Sequence, residues 1–160
     1  NFIMANMIKV RSASDFTLVI NAPEIPLVKT WSKRGAVYPI DRDALIQAYY
    51  STSLEELIRK GMLVVDDKQF LIEVGLAEEE NTTMAIELTP ALKEKCINAM
   101  PLWELEQTLK QLSEYQISEL AEYAIENHTK MKMDRIEILG KASHKNILKA
   151  IELYKAAQED

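Results

Sequence analysis

A change in character near Ala77 constrains the fold of this chain more than any other feature of its sequence. Before this point, β-branched runs are separated by turn residues; after it, apolar side chains recur at helical spacing almost to the end. Strand-forming and helix-forming segments that are separated in this way are typical of an α+β protein. We therefore predict a small N-terminal β-sheet with two or three short helices (residues 1–76), an acidic linker (residues 77–88), and a C-terminal bundle of about five short helices (residues 89–160).

Four strands are predicted in the first forty residues. The first two are expected at residues 7–11 and 16–21, with a turn-like segment between them. Two prolines follow, and because proline lacks a backbone donor we expect residues 21–26 to form an irregular crossing. Residues 27–31 and 36–40 flank a turn that contains glycine, and this pattern predicts a hairpin.

Capping residues predict where the helices begin. Asp41 precedes a helical segment, and its carboxylate can accept the open amides of the first turn. Ser53 with Glu56 has the spacing of a capping box. Thr89, which is followed by proline, and Ser113 are predicted to cap two helices of the second part.

The end of the chain predicts two short helices in succession. A helix that begins at Asp134 is expected to end near Gly140, and Ser143 is expected to cap the last helix. The short turn between them, residues 140–142, would fit a helix-turn-helix arrangement.

Side chains that could carry catalysis or bind a metal are few. The single cysteine, Cys96, lies on a predicted helix face and is expected to be a buried structural thiol, while His128 and His144 lie at helix boundaries. These three residues have no metal-ligand spacing, and four isolated glycines cannot build a phosphate-binding loop. We predict no cofactor, no metal and no enzymatic activity. A hydrolase built from scattered carboxylates would leave no trace in the sequence and stays open as a third interpretation.

Compartment and membrane association follow from the same composition. A lone cysteine cannot form an internal disulfide, which favours a reducing compartment or a virion. The longest apolar runs, such as residues 16–20 and 62–65, are far shorter than the roughly 20 residues of a membrane span. We therefore expect no membrane partner.

An aromatic and basic cluster in the first part predicts a contact surface. Trp31 is followed by Lys33 and Arg34 at the predicted hairpin tip, and Tyr49 and Tyr50 lie on the helix that follows. Exposed aromatic side chains supply large rigid contact areas. We predict that these five residues bind a protein partner, either a different protein or a second copy of the chain. The alternative is that Trp31 lies in the core and the turn is only solvated.

The charge distribution leaves nucleic acid as an alternative partner. Residues 77–127 hold three basic and eleven acidic residues, whereas residues 128–160 hold seven basic and five acidic residues. The acidic middle disfavours a polyanion, while the basic end could contact phosphates. The residues predicted for this alternative are Lys132, Arg135, Lys141, Lys145 and Lys149.

Several short segments together carry a resemblance to a known family. They are Leu27-Val28-Lys29-Thr30-Trp31, Lys33-Arg34-Gly35-Ala36, Ile40-Asp41, Leu54-Glu55-Glu56-Leu57, Gly61-Met62-Leu63, Val74-Gly75-Leu76, Leu105, Leu109, Ile117-Ser118-Glu119-Leu120-Ala121, Met133-Asp134-Arg135-Ile136-Glu137-Ile138 and residues 147–151. In this order they resemble a family of small proteins encoded in phages and prophages of gut Firmicutes, often beside head and packaging genes.

This resemblance implies a function by assembly. It suggests a non-enzymatic structural or accessory protein that acts by protein–protein contact, associated with the capsid or tail and located in the bacterial cytoplasm or the virion. Its expected partners are phage structural proteins or further copies of itself. Residues 117–138 also resemble the small helical modules of the SAP and Rho N-terminal type, which implies the alternative of a nucleic-acid-binding regulator.

Overall fold

The structure is a computed structural model that describes residues 6–77 and 85–159. The chain divides into two compact units, residues 1–87 and 88–160. Most of the predicted acidic linker, residues 78–84, lies outside the described residues.

The end of the predicted linker belongs structurally to the first unit. The Nη2 atom of Arg11 lies 2.7 Å from Oε1 of Glu87, and the hydrogen bond that Arg11 donates to the Glu87 carboxylate is the main reason that the pKa of Arg11 is raised.

The α+β class is confirmed, with strands in the first unit and helices alone in the described part of the second. Within residues 6–77 the elements are β1 (Met7–Ser12), β2 (Leu18–Ala22), β3 (Leu27–Trp31), β4 (Val37–Asp41), α1 (Arg42–Ser51), α2 (Leu54–Arg59), β5 (Leu63–Val65) and α3 (Lys68–Glu73). The strands form an antiparallel three-stranded sheet in the order β4-β1-β5 and a separate β2–β3 ribbon.

The predicted hairpin between residues 27–31 and 36–40 is wrong, although both segments contain strands. β3 pairs with β2, and β4 pairs with β1. The loop between β3 and β4 carries the chain from one sheet to the other, because its backbone is bound to the end of β1. The Gly35 amide donates to the Ser12 carbonyl at 2.8 Å, and the Ser12 amide donates to the Ala36 carbonyl at 2.9 Å.

The segment predicted as an irregular crossing, residues 21–26, is instead the end of β2 and the turn of the β2–β3 hairpin. The Ile25 amide donates to the Ala22 carbonyl at 3.1 Å and closes the turn. Pro23 follows the acceptor residue Ala22, and Pro26 follows the donor residue Ile25. The turn does not need a backbone donor at either position. The prolines therefore favour the hairpin turn rather than prevent it.

Trp31 joins the two sheets of the first unit. It is the largest fully buried side chain among the residues that the structure describes, and its indole Nε1 donates to the Val10 carbonyl on β1 at 3.0 Å. The ring also packs edge-on against Tyr38, with 5.6 Å between ring centroids. The ribbon and the three-stranded sheet thus share one hydrophobic core.

The N-caps of the first unit follow the prediction at one of two positions. Asp41 accepts a hydrogen bond from the Ala44 amide at 3.2 Å, which confirms the cap of α1. The capping box predicted at Ser53 is wrong, since Ser53 makes no side-chain cap. The Leu54 amide donates instead to Oγ1 of Thr52, one residue earlier, at 3.1 Å.

The second unit consists of helices within its described residues, 88–159. They are α4 (Pro90–Asn98), α5 (Leu102–Lys110), α6 (Glu114–Glu126), a 3-10 turn (Met133–Arg135), α7 (Ile136–Ser143) and α8 (Ile147–Gln158). The caps predicted for α4 and α6 are confirmed. Thr89 accepts from the Leu92 amide, and Ser113 forms a capping box with Gln116.

The turn between the last two helices lies later than predicted. Gly140 is inside α7, where a Cβ atom would lie 3.1 Å from the Lys145 carbonyl oxygen, so glycine permits the close approach of the following turn. The predicted stop at Gly140 and the predicted cap at Ser143 are therefore wrong. The C-cap of α7 is His144, which has a φ of 58°, and Asn146 caps α8.

Arg135 connects the segment after α6 to the end of α4 through side-chain hydrogen bonds. Its side chain is 2% exposed, and Nη1 donates to the carbonyls of Cys96 at 3.0 Å and Met100 at 2.6 Å. The last carbonyls of a helix have no partner within the helix. The guanidinium of Arg135 therefore satisfies carbonyls that would otherwise be buried without a donor.

We expect Arg135→Ala to lower the free energy of unfolding by about 3 kcal/mol, because it leaves two buried carbonyls without a donor. Urea unfolding followed by far-UV circular dichroism measures the change, and hydrogen exchange of the α4 amides locates it. Lys132→Ala, which removes an exposed cation from the same segment, is the control and should change stability by less than about 0.5 kcal/mol. Equal stability of the two variants would contradict the role of Arg135.

Candidate interaction surfaces

The structure separates the predicted partner-binding residues into buried and exposed groups. Trp31 is 0% exposed and Tyr49 is 3% exposed, so the prediction that they form an exposed contact is wrong. Trp31 fills the space between the two sheets, and Tyr49 packs edge-on against Phe70 with 6.3 Å between ring centroids. Two small sheets and three short helices need these large rings to complete their core.

Tyr50 remains as an exposed aromatic residue, with 68% of its surface accessible. Its ring packs edge-on against Tyr49 at a centroid distance of 5.1 Å. The two tyrosines line a solvent-open groove of about 560 Å³ between the end of α1 and α2, which we call the Tyr50 groove. Because Tyr49 is buried, it gives Tyr50 a fixed support.

The other wall of the Tyr50 groove is charged but locally neutral. Nε of Arg59 lies 3.7 Å from the Glu55 carboxylate, and Nζ of Lys60 lies 2.7 Å from the Glu56 carboxylate. An aromatic ring beside paired charges has the composition of a protein-binding surface.

The predicted basic tip is part of a corner formed by two loops. Lys33 is exposed, while Nε of Arg34 donates to the Asp15 carboxylate at 3.0 Å. Phe16, on the same loop as Asp15, is 62% exposed. The positive charge of Arg34 is therefore compensated within the corner.

The residues predicted for nucleic-acid binding are divided as well. Arg135 is buried and donates to backbone carbonyls, so the prediction that it contacts phosphates is wrong. Lys132 is exposed.

The three remaining lysines of that set lie beside carboxylates. The distances are 3.3 Å from Lys141 to Glu137, 2.7 Å from Lys145 to Glu122 and 3.8 Å from Lys149 to Glu152. The positive charge of the basic run is thus locally balanced, which weakens its attraction for a polyanion.

Trp103 is an exposed aromatic residue that sequence reasoning missed. It lies on α5 and is 68% exposed. The signal was present in the sequence, because Trp103 lies about 200° around the helix from Leu105, which leads the buried stripe of α5. A tryptophan on the polar side of an amphipathic helix indicates a contact surface.

A second groove lies between α5 and α7 and has a volume of about 570 Å³. We call it the α5–α7 groove. Its apolar lining comes from Leu109, Ile138 and Ala142, and its charged lining from Glu106, Lys110, Glu137 and Lys141. Each helix thus contributes one acid and one base.

The candidate catalytic side chains occupy structural positions. Burial raises the pKa of the Cys96 thiol to about 11, which makes it a poor nucleophile at neutral pH. Nδ1 of His128 lies 3.0 Å from the Ile125 carbonyl, and His144 forms the left-handed end of α7. Across residues 6–77 and 85–159, no three His, Cys, Asp or Glu side chains converge as metal ligands. None of the helices in these ranges has the length and apolar character to cross a membrane.

Comparison with known proteins identified no relatives of this chain: no protein-family model, no curated protein and no solved structure matches it significantly.

The adjacent tyrosines provide a matched pair for testing which ring is available for contact. Tyr49→Ala should lower the free energy of unfolding by about 3 kcal/mol, because it removes a buried ring. Tyr50→Ala should change it by less than about 0.5 kcal/mol, because the ring is exposed. Urea unfolding measures both, and a loss of similar size in the two variants would contradict the assignment.

The raised pKa of Cys96 predicts slow alkylation of the native protein. At pH 8 a thiol with a pKa of about 11 has roughly a hundredfold less thiolate than an ordinary thiol, and only the thiolate reacts. Iodoacetamide labelling followed by mass spectrometry should therefore be at least about a hundredfold slower in the native than in the urea-unfolded chain. Native labelling at the unfolded rate would contradict the burial of Cys96.

Proposed function

We propose that this chain is a non-enzymatic, phage-derived structural or accessory protein that acts by protein–protein contact, in virion assembly or bound to the capsid or tail. The observation that carries the proposal is that each compact unit exposes a large aromatic ring on a helix that also contributes to a solvent-open groove. The rings are those of Tyr50 in the first unit and Trp103 in the second.

Exposed aromatic rings are the side chains through which protein interfaces gain most of their energy. A tyrosine or tryptophan buries about 150–250 Å² with little loss of conformational freedom, and both are enriched among residues that dominate binding. Tyr50 is also held in place by the buried ring of Tyr49. It is therefore pre-organised for contact.

Placement of the two rings on different units supports an assembly role. A chain with one contact surface on each of two units has what is needed to join two other proteins, as an accessory protein of a particle must. The resemblance to small proteins encoded beside phage head and packaging genes supports phage structural proteins as the partners.

The nucleic-acid alternative has less support from the charged side chains. Arg135 is committed to backbone carbonyls, and the carboxylates beside Lys141, Lys145 and Lys149 balance their charge. A regulator that binds through phosphate contacts needs cations that release counterions on binding.

The proposal is tested by cross-linking a tagged chain in its native host during phage production. Mass spectrometry of the captured complexes should identify a capsid, portal or tail protein, and Tyr50→Ala should lower its recovery about tenfold. Gln69→Ala, an exposed change on α3, is the matched control and should leave recovery unchanged.

Two results would contradict the proposal. One is a chain that is absent from purified particles and cross-links to no phage structural protein. The other is capture that disappears on nuclease treatment, which would favour the nucleic-acid alternative.

A further inference from the structure

An exposed phenyl ring and an exposed cation lie on one corner of the first unit. This corner, which we call the Phe16 corner, is formed by residues 12–17 and 32–36. Phe16 is 62% exposed, and Lys33 on the facing loop is exposed as well. The hydrogen bond from Nε of Arg34 to the Asp15 carboxylate, 3.0 Å long, joins the two loops one residue away from Phe16 and one residue away from Lys33. The ring and the ammonium group therefore belong to one surface.

The backbone that carries the ring is fixed from behind. Ser12 and Ser14 have no exposed surface. The Phe16 amide donates to Oγ of Ser14 at 3.1 Å, and the Ser14 amide donates to Oγ of Ser12 at 3.2 Å. The Ala13 amide donates to the Met62 carbonyl, just before β5, at 2.8 Å. Because the loop is already ordered, a partner that binds the ring loses little free energy to ordering it.

These hydrogen bonds do not require an aromatic residue at position 16. Phe16 contributes its backbone amide to them, and any side chain except proline would leave that amide in place. The fold thus fixes the position of a large apolar ring that keeps most of its surface in water. A rigid, exposed aromatic ring has the properties of an anchor residue in a protein interface.

The charges of the corner indicate the kind of partner. The two loops contain two cations, Lys33 and Arg34, and one carboxylate, that of Asp15. Arg34 is paired with Asp15, whereas Lys33 forms no ion pair with the residues that the structure describes. A complementary surface therefore supplies a recess for the ring and a carboxylate for Lys33.

Two other occupants fit this corner less well. A twofold contact between two copies uses the same patch on both, so it would place one projecting ring against the other and Lys33 against Lys33. Nucleic acid is bound through several phosphate contacts, and the two loops offer a single cation without an ion pair. A different protein meets neither obstacle.

We infer that the Phe16 corner docks on a second protein, with the phenyl ring in an apolar pocket and Lys33 against a carboxylate at the rim of that pocket. The inference goes beyond the proposed function, because it concerns a surface other than those of Tyr50 and Trp103 and does not require the partner to be a phage protein. It keeps the partner-binding role predicted for Lys33 but replaces Trp31 by Phe16 as the aromatic residue beside it.

Photo-cross-linking from position 16 tests the inference. The full chain is produced in its native host with p-benzoylphenylalanine in place of Phe16, and mass spectrometry maps the cross-linked residue. We expect one cross-linked protein, with the link in an apolar pocket that has an aspartate or glutamate at its rim. The positional control places the same photoreactive group at Val28, which is 57% exposed on β3, and should not label this pocket.

Charge reversal tests the role of Lys33. K33E should lower the cross-linking yield about tenfold, whereas K68E, a change of an exposed lysine on α3, should leave it unchanged. Replacing the mapped rim carboxylate by lysine should return the yield of K33E to within about threefold of wild type. With the purified partner, Phe16→Ala should raise the dissociation constant about 30-fold. Circular dichroism verifies that each variant is folded.

Four results would each overturn the inference: no cross-linked protein at position 16, a link to a second copy of the chain alone, a link that nuclease treatment abolishes, or a yield that K33E does not change. These results would leave the Tyr50-dependent capture of phage structural proteins intact. Conversely, a Lys33-dependent link to a host protein, with no phage structural protein captured by the chain, would overturn the proposed function alone.

Discussion

The hydrogen bond from Trp31 to Val10 is the interaction on which the first unit depends. Trp31 ends one strand of the β2–β3 ribbon, and Val10 lies on β1, the central strand of the other sheet. Both residues are fully buried, and the indole N–H reaches the Val10 carbonyl at 3.0 Å. An unpaired indole donor in this position would cost the desolvation energy of a buried polar group. The bond therefore fixes how the ribbon packs on the sheet. Because Trp31 holds the two sheets together, it is not available at the surface, where Phe16 and Tyr50 are the exposed aromatic residues of the described part of this unit.

Arg135 has a comparable role in the second unit. A tryptophan next to cations and an arginine within a basic run are both expected at the surface from their sequence neighbours. In the structure both side chains are buried. Each places its donor on backbone carbonyls, those of Val10 for Trp31 and of Cys96 and Met100 for Arg135. Buried carbonyls require donors. The rings of Tyr50 and Trp103 are exposed. Folding therefore does not depend on burying them, and their surfaces stay accessible to other proteins.

Local interactions explain which features could be predicted from the sequence. The caps at Asp41, Thr89 and Ser113 are bonds over three residues, so the residue types indicate them directly. The pairing of the strands depends on bonds such as that from the Gly35 amide to the Ser12 carbonyl, which no local pattern encodes. The same holds for Arg135, whose acceptors are 35 and 39 residues away. Trp103 could have been predicted, because helical periodicity alone places it opposite Leu105.

The two tryptophans occupy opposite environments, with Trp31 in the core and Trp103 on the surface. Acrylamide quenching of tryptophan fluorescence in dilute solution tests it most directly, with the Trp103→Phe variant to isolate the emission of Trp31. Two components are expected in the wild type: a red-shifted, strongly quenched one that Trp103→Phe removes, and a blue-shifted, protected one that remains. Strong quenching of the emission that remains in Trp103→Phe, or a Trp103 component that is protected even at the lowest concentration, would contradict it.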